Sequence, residues 1–306
     1  MKKKYPLVSI VTVNYNQSQV TCELIASLEK ITYPNIEIIV VDNASSDDNP
    51  DTIKDRFPNV VLIKNPVNYG FAAGNNIGIM ASNGEYVLFL NNDTEVKPGF
   101  MEPLLRKFDE IPHLGAVSPK IRYFHTPDTI QYAGYTEMNR FTIRNFAFGH
   151  KEEDLGRHDT DRETPYAHGA AMMVPMELIK KIGMMSYIFF LYYEEADFCD
   201  RIRRAGYKIF YVHNSLVYHK ESISTGKTSP LKIYYLYRNR IVYMRRNIFG
   251  KTFYAALFYQ LMVAIPKNAF AFLLKGKVKL FMAYYRAIGW HISHMFDKTV
   301  HENPML

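Results

Sequence analysis

The residues best equipped for chemistry in this chain are acids, side-chain amides and one histidine, and they stand where hydrophobic runs stop. Tyr86–Leu90 has the length and composition of a buried strand and runs directly into Asn91, Asn92 and Asp93. Asn14 closes the apolar run 8–13, Asp42 and Asn43 close EIIVV at 37–41, and His219 closes the strand-like run 215–218. A further group, Glu194, Glu195 and Asp197, opens a stretch of helical spacing. Such groups offer oxygen and nitrogen acceptors for a ligand. Each also has an ordinary explanation. Asn and Asp bond their own backbone in turns, acids are comfortable at a helix N-terminus, and a histidine after a strand is commonly structural.

The elements that must position these groups tip the balance. Strands are expected at 8–13, 37–41, 60–64 and 86–90, alternating with helices at 20–28 and 75–82. That alternation predicts an α/β fold with a mostly parallel sheet, flanking helices and right-handed crossovers. In such sheets ligands bind beyond the carboxyl ends of the strands. Asn14, Asp42 and Asp93 all fall at those ends, so they are read as one site rather than three unrelated turns. Residues 120–165 show little periodicity and are expected to form loops, with a hairpin across the open edge. A strand is expected at 168–175 and a short helix at Met176–Ile182. A helix then starts at Glu195, with Phe198, Ile202 and Ala205 on one face and Gly206 as its stop, while Glu194 belongs to the approach. Strands at 208–212 and 215–218 follow.

Composition sets the outer bounds. The chain has 306 residues, 48% hydrophobic and 22% charged, which is globular and large enough for a substantial core. Cys22 and Cys199 form no CxxC or metal-ligand spacing, as expected of core thiols in a reducing compartment. The start, Lys2, Lys3 and Lys4 before a short apolar run, lacks a cleavage site and is read as leading into a first strand, not as an export signal. The net charge of +7 is unevenly spread: from Lys227 onward 13 Lys and Arg face two acids, whereas residues 1–226 hold 24 basic and 28 acidic residues. A catalytic domain over 1–226 and a basic, aromatic-rich helical tail over 227–306 are therefore expected. The tail's apolar run 253–274 is interrupted by Gln260, Pro266, Lys267 and Asn268, and is followed by Lys275, Lys277 and Lys279 among Phe281, Tyr284, Tyr285 and Trp290. That pattern suits helices lying in the headgroup layer of an anionic membrane better than a span. Nucleic acid is not expected as a partner, because no reader motif accompanies the charge.

An ordered set of motifs carries a resemblance: VSIVTVNYN (8–16), VVDNASSD (40–47), NYGFAAGNNIGI (68–79), LFLNNDTEV (88–96), GAAMMVP (169–175), YYEEADFCDRIRRAGYKI (192–209), VYH (217–219) and YYLYRNR (234–240). Together these resemble family 2 glycosyltransferases, inverting enzymes of the GT-A fold, and the last resembles bacterial rhamnosyltransferase-like members. The resemblance runs from Val8 to about Asn239. It implies a UDP- or dTDP-sugar donor and a saccharide acceptor, plausible as a lipid-linked one in cell-surface polysaccharide assembly, with the enzyme peripheral at the cytoplasmic face. Asp42 would accept from the imide of a pyrimidine, with Thr12, Asn14, Tyr15 and Asn43 bordering base and ribose. The loop of Asn68, Gly70, Phe71 and Asn75 would let backbone approach the nucleotide. Asn91, Asn92 and Asp93 stand where the family has its DxD element, Asn91 replacing the first acid. Asp93 and His219 would hold Mg2+ or Mn2+ to neutralise the leaving diphosphate. Glu194, Glu195 and Asp197 stand at the family's ED motif, with Glu195 as base and the other two orienting the acceptor or pairing with Arg201, Arg203 or Arg204. Gly183, Met184 and Met185 replace a usual Gly-Phe-Asp, which implies an altered acceptor pocket. A sugar nucleotidyltransferase would instead want a Gly-rich basic loop where Asn14 to Gln17 stand. A non-catalytic binding scaffold of the same fold would show no donor hydrolysis.

Overall fold

The computed structural model of the chain describes residues 5–221 and 229–306, so the expected division at 226/227 and the three N-terminal lysines lie outside the described residues. β-branched runs make the first strands. β1 (Val8–Asn14), followed by α1 (Ser18–Leu28), pairs in parallel with β2 (Ile36–Asp42), and the register sets Asn14 opposite Asp42. After α2 (Asp51–Arg56), β3 (Val61–Lys64) extends the sheet beyond β2; after α3 (Gly70–Met80), β4 (Tyr86–Leu90) extends it on the other side of β1. All these pairings are parallel, as expected.

The second half is mixed. β5 (Thr94–Val96) and α4 (Met101–Glu110) lead to β6 (Leu114–Tyr123), with β7 (Ile130–Tyr132) and β8 (Arg162–Glu163) as short additions. β9 (Ala171–Pro175) runs antiparallel between β4 and β6; after α5 (Met176–Ile182) and α6 (Glu194–Arg204), β10 (Lys208–His219) returns parallel to β6. The sheet order is β3-β2-β1-β4-β9-β6-β10-β5. Alternate residues of the strands feed two cores: Val11, Phe89 and Met172 on one face, Ile10, Leu88 and Met173 on the other. β10 is one strand with an irregularity between Val212 and Leu216 rather than two.

Three helix starts differ from expectation, α1 by two residues, at Ser18 rather than 20. α3 begins at Gly70, five residues ahead of the expected 75. Its glycines serve packing: a Cβ at Gly78 would come within 2.2 Å of Val11 on β1, and one at Gly74 within 3.0 Å of Val13. α6 begins at Glu194, because Tyr193 takes a left-handed conformation (φ 72°) that ends the approach segment one residue sooner.

The tail is helical and knitted to the body. α7 (Pro230–Asn247) is capped by Ser229, whose side chain accepts from the Lys232 N–H. Its Arg246 pairs with Asp197 at 2.7 Å and donates to the carbonyl of Val300, while Met184 N–H donates to the Pro304 carbonyl at 2.7 Å. α8 (Gly250–Tyr259) and α9 (Ile265–Leu274) are joined by a π turn at Gln260–Ala264, so residues 250–274 form one helix. The expected interruptions do not break it. Pro266 falls in the first turn after the π segment, where its missing N–H is absorbed. α10 (Val278–Ser293) packs back on α7 and α9.

Candidate active site

The carboxyl ends of β1, β2 and β4 border a cavity of about 370 Å³. Its wall includes Tyr15, Asn43, Asn68, Gly70 and Phe71 at one end, Asn91, Asn92, Asp93 and His219 at the middle, and Glu194 and Glu195 opposite. Eleven residues singled out in the sequence thus reach one cavity. Thr12, Asn14, Asp42, Asn75 and Asp197 do not line it.

Those five lie behind the wall, for definite reasons. Asp42 is 2% exposed: Oδ1 accepts from Asn14 Nδ2 at 2.7 Å and Ser45 Oγ at 2.5 Å, and Oδ2 accepts from Ser45 N–H at 3.0 Å. Its carboxylate fixes the loop that follows β2. Asn14 is fully buried and also accepts from Thr21 Oγ1 at 2.7 Å. Asn75 is spent on the Phe71 carbonyl, at 2.9 Å, and Thr12 Oγ1 is buried without a partner. Asp197 takes the second of its two expected roles, pairing with Arg201, and adds a partner not foreseen, Arg246. Its carboxylate is fully buried between Arg246, Asn247 and Arg201, and these cations and hydrogen bonds hold it below the usual carboxylate range against the cost of burial. An acid so engaged is an anchor for α7, not a base.

Asp93 and His219 make the middle of the site. Antiparallel pairing of β10 with β5 brings His219 across to Thr94, so His219 Nε2 lies 3.1 Å from Asp93 Oδ1. His219 Nδ1 lies 2.8 Å from Gln131 Oε1, an atom that can only accept, so that nitrogen carries the ring proton. With that proton at Nδ1, the ring's other nitrogen, Nε2, is the one turned towards the Asp93 carboxylate oxygen. Nε2 and Asp93 Oδ1 at this distance share either a proton or a cation between them. The buried Asn91 Oδ1, which has no partner, adds a second oxygen at the same cavity. Residues that fit a hard divalent cation are thus present, with too few protein ligands to enclose it. Among the described residues no group of three or more His, Cys, Asp or Glu gathers as a metal cage.

Glu194 and Glu195 each leave Oε2 buried without a hydrogen-bond partner. Burial raises both carboxyls above the ordinary range; Glu194, with Glu195 beside it, is raised well above. The pair therefore holds a proton more readily than an ordinary carboxylate, and its titration belongs to the two groups together.

Sequence reasoning missed Gln131, Tyr135, His168 and Lys232 on the wall. His168 is pushed down to about 3 by burial, is stacked on Tyr135 with centroids 6.0 Å apart, and accepts from the Ala170 N–H at 3.0 Å. It is a neutral donor at Nε2. His168 stands directly before the GAAMMVP motif. Gln131 and Tyr135 lay in the stretch read as irregular, and no local signal marked them.

Comparison with known proteins bears on the family and the fold. The glycosyl transferase family 2 model matches residues 9–183. The N-acetylglucosaminyl-diphospho-decaprenol L-rhamnosyltransferase of Mycobacterium tuberculosis is 26% identical over 239 residues, covering 71% of this chain and 77% of that protein. The low-salt glycan biosynthesis hexosyltransferase of Haloferax volcanii is 27% identical over 252 residues, covering 80% and 77%. Among solved structures, a mannosyltransferase of Pyrobaculum calidifontis in complex with GDP-Man and Mn2+ aligns with a TM-score of 0.58 at 16% identity, covering 97% of this chain and 89% of that one. GalNAc-T7 with UDP, GalNAc and Mn2+ aligns at 0.67 and 17%, covering 97% and 59%. The fold is that of these GT-A neighbours, and the chain is a member of glycosyl transferase family 2.

Proposed function

We propose that the chain is an inverting, metal-dependent glycosyltransferase that moves a sugar from a UDP- or dTDP-sugar to a saccharide acceptor. The observation that carries this reading is the convergence, in one cavity, of the Asp93–His219 pair with two buried glutamates whose free oxygens lack partners. The nucleoside occupies the end formed by Tyr15, Asn43, Asn68 and Phe71, with Asp42 bracing the loop beneath. Asp93 and His219, with Asn91 beside them, would hold Mg2+ or Mn2+, which when bound offsets the charge developing on the departing diphosphate. Glu195 accepts the acceptor hydroxyl's proton as its oxygen attacks the anomeric carbon opposite the diphosphate. A new glycosidic C–O bond forms, the bond to the phosphate oxygen breaks with its electron pair, and the proton stays on Glu195. Glu194 stands beside it with its own Oε2 free of partners.

The tail suits a lipid-linked acceptor at the cytoplasmic face. The helix 250–274 is long and apolar enough to cross a membrane by length and composition, and only 6% of its apolar window is buried. An interfacial position is favoured by Gln260, at mid-helix, which is 4% exposed and donates to the Phe141 carbonyl of the body at 2.6 Å. A helix whose midpoint is held against the catalytic body lies along a membrane rather than through it. Tyr254, Phe258, Met262, Phe270 and Leu274 are left exposed, with Lys275, Lys277 and Lys279 following. The mycobacterial relative, whose name specifies a diphospho-decaprenol-linked sugar, is consistent with such an acceptor.

A thermal-shift screen of nucleoside diphosphates and sugar nucleotides, with and without Mn2+, tests the donor half. UDP or dTDP species should raise the melting temperature more with Mn2+ than without. No stabilisation by any of them would remove the donor site.

A further inference from the structure

The segment that roofs the cavity and delivers the glutamates is strained. Phe190, Tyr192 and Tyr193 have φ of 59°, 71° and 72°, left-handed values that side chains other than glycine rarely adopt. Four residues carrying three such conformations persist only if their surroundings impose them. The strain is matched to the site. Gly70 at the mouth of α3 has φ +84°, and a Cβ there would meet Phe190 at 2.5 Å; the Phe190 carbonyl accepts from the Phe71 N–H at 2.6 Å. Tyr193, the last strained residue, sets the start of α6 and so the direction of Glu194 and Glu195.

What imposes the conformation is a pair of adjacent residues on α7. Asn239, fully buried, directs its side-chain amide to three carbonyls of the segment: Phe189 at 2.6 Å, Leu191 at 2.7 Å and Tyr192 at 2.9 Å. Arg238 donates to the carbonyls of Ile188 and, at 3.1 Å, Phe189, and also to Asn239 Oδ1 at 2.8 Å, which fixes the amide's orientation. Tyr235, one turn before, stacks on Phe190 with ring centroids 4.7 Å apart. Behind them, Trp290 of α10 lies under the Arg238 guanidinium at 5.1 Å, and His291 Nε2 lies 3.0 Å from the Arg238 carbonyl. Neither Arg238 nor Asn239 lines the cavity.

We infer that Arg238 and Asn239 are positioning residues, a polar clamp that holds Phe190, Tyr192 and Tyr193 left-handed within the segment 188–193 and thereby keeps Glu194 and Glu195 aimed into the cavity. The catalytic half of this statement rests on the function proposed above; the structural half does not. The contacts at 239 need both an amide donor and an amide oxygen on a short side chain. Aspartate has the shape but no donor, and would set a carboxylate against three carbonyl oxygens.

The test uses the full chain and three variants: Asn239→Ala, Asn239→Asp and Arg238→Lys. Hydrogen exchange is read at Phe71, Leu191 and core amides of β1 and β4, together with the side-chain carboxyl 13C signals of Glu194 and Glu195 as pH is varied. Loss of the clamp should speed exchange at Phe71 and Leu191 by roughly 10–100-fold while β1 and β4 keep their protection, because only local opening becomes easier. The glutamate signals should then titrate nearer the ordinary range as water reaches them. Arg238→Lys, which keeps a donor, should show a smaller effect. Unchanged exchange and unchanged glutamate signals in Asn239→Ala would overturn the clamp. A uniform loss of protection across β1 and β4 in Asn239→Ala and Arg238→Lys alike would also overturn it, by making these residues supports of the whole fold. Failure of the base assignment is a separate event: normal turnover in Glu195→Gln would sink that assignment and leave the exchange result standing.

Discussion

At the residue scale, what separates the acids of α6 is the company each keeps. Asp197 is ringed by Arg201, Arg246 and Asn247, whereas Glu194 and Glu195 face the cavity with unpartnered oxygens. Asp197→Asn should therefore cost about 3–5 kcal/mol of stability, the usual penalty for leaving buried cations unpaired, and a melting curve reads it directly. The signs of the pH effects differ. Asp197, held low, stabilises the fold above its unfolded pKa, and that stabilisation is lost as pH falls through the depressed value. The glutamate pair, held high, weakens the fold as pH rises through its range, and transfer that needs ionised Glu195 should follow an acid limb displaced above the ordinary value of 4.5. A pH–rate profile with its limb at or below that value would contradict the burial of the pair. At the metal position, Asp93→Asn should abolish most of the Mn2+-dependent part of nucleoside diphosphate binding in calorimetry and leave the metal-independent part. Equal loss of both would place Asp93 elsewhere in the donor site.

At the element scale, the tail's first helix and last residues belong to the catalytic body by contact. Arg246 bonds Asp197 on one side and the carbonyls of Val300 and Glu302 on the other, and Ser186 Oγ donates to Glu302 at 2.8 Å. The terminal residues thus buttress segment 183–186, whose Met185 is held in turn by Asn76 through bonds of 2.7 and 3.0 Å. Removing only residues 296–306 should lower the melting temperature, although those residues touch no part of the cavity; an unchanged melting temperature would show the docked end to be dispensable. The helix 250–274 carries the opposite expectation. Its exposed apolar face and the following lysines should bind vesicles containing anionic lipid at low salt and release them as salt rises. Absence of binding at low salt would leave the apolar face without a membrane role.

At the scale of the whole molecule, the sequence was most legible where one physical signal dominated. The apolar runs that became β1, β2 and β4 announced buried parallel strands, and their polar ends announced the site. Legibility fell where tertiary pairing decided the outcome. β6 is central and almost wholly buried, yet it carries Ser118 and Lys120. Lys120 is tolerated at 3% exposure because Asp154 and Asp159 reach it from the stretch read as irregular. Asp42 read as a ligand-facing acid because a strand end exposes its residue in projection; the Ser45 turn that closes over it is a local fold no periodicity encodes. At Asp197 the pairing with Arg201 four residues on was legible from helical spacing, whereas its closer partner Arg246 lies 49 residues onward, on a helix assigned to the tail. Gln131, Tyr135 and the Arg238–Asn239 pair reach the site or its roof only through the folded packing of distant segments.

The account's central claim is that Glu195 takes the proton in a transfer organised around Asp93 and His219, and the rate of sugar transfer at saturating donor and acceptor in Glu195→Gln tests it most directly. The substitution keeps size and most hydrogen bonding while removing basicity. Transfer should fall by about 10²–10⁴-fold with nucleoside diphosphate affinity nearly unchanged, and Glu194→Gln should fall less. Near-wild-type transfer by Glu195→Gln would contradict the account.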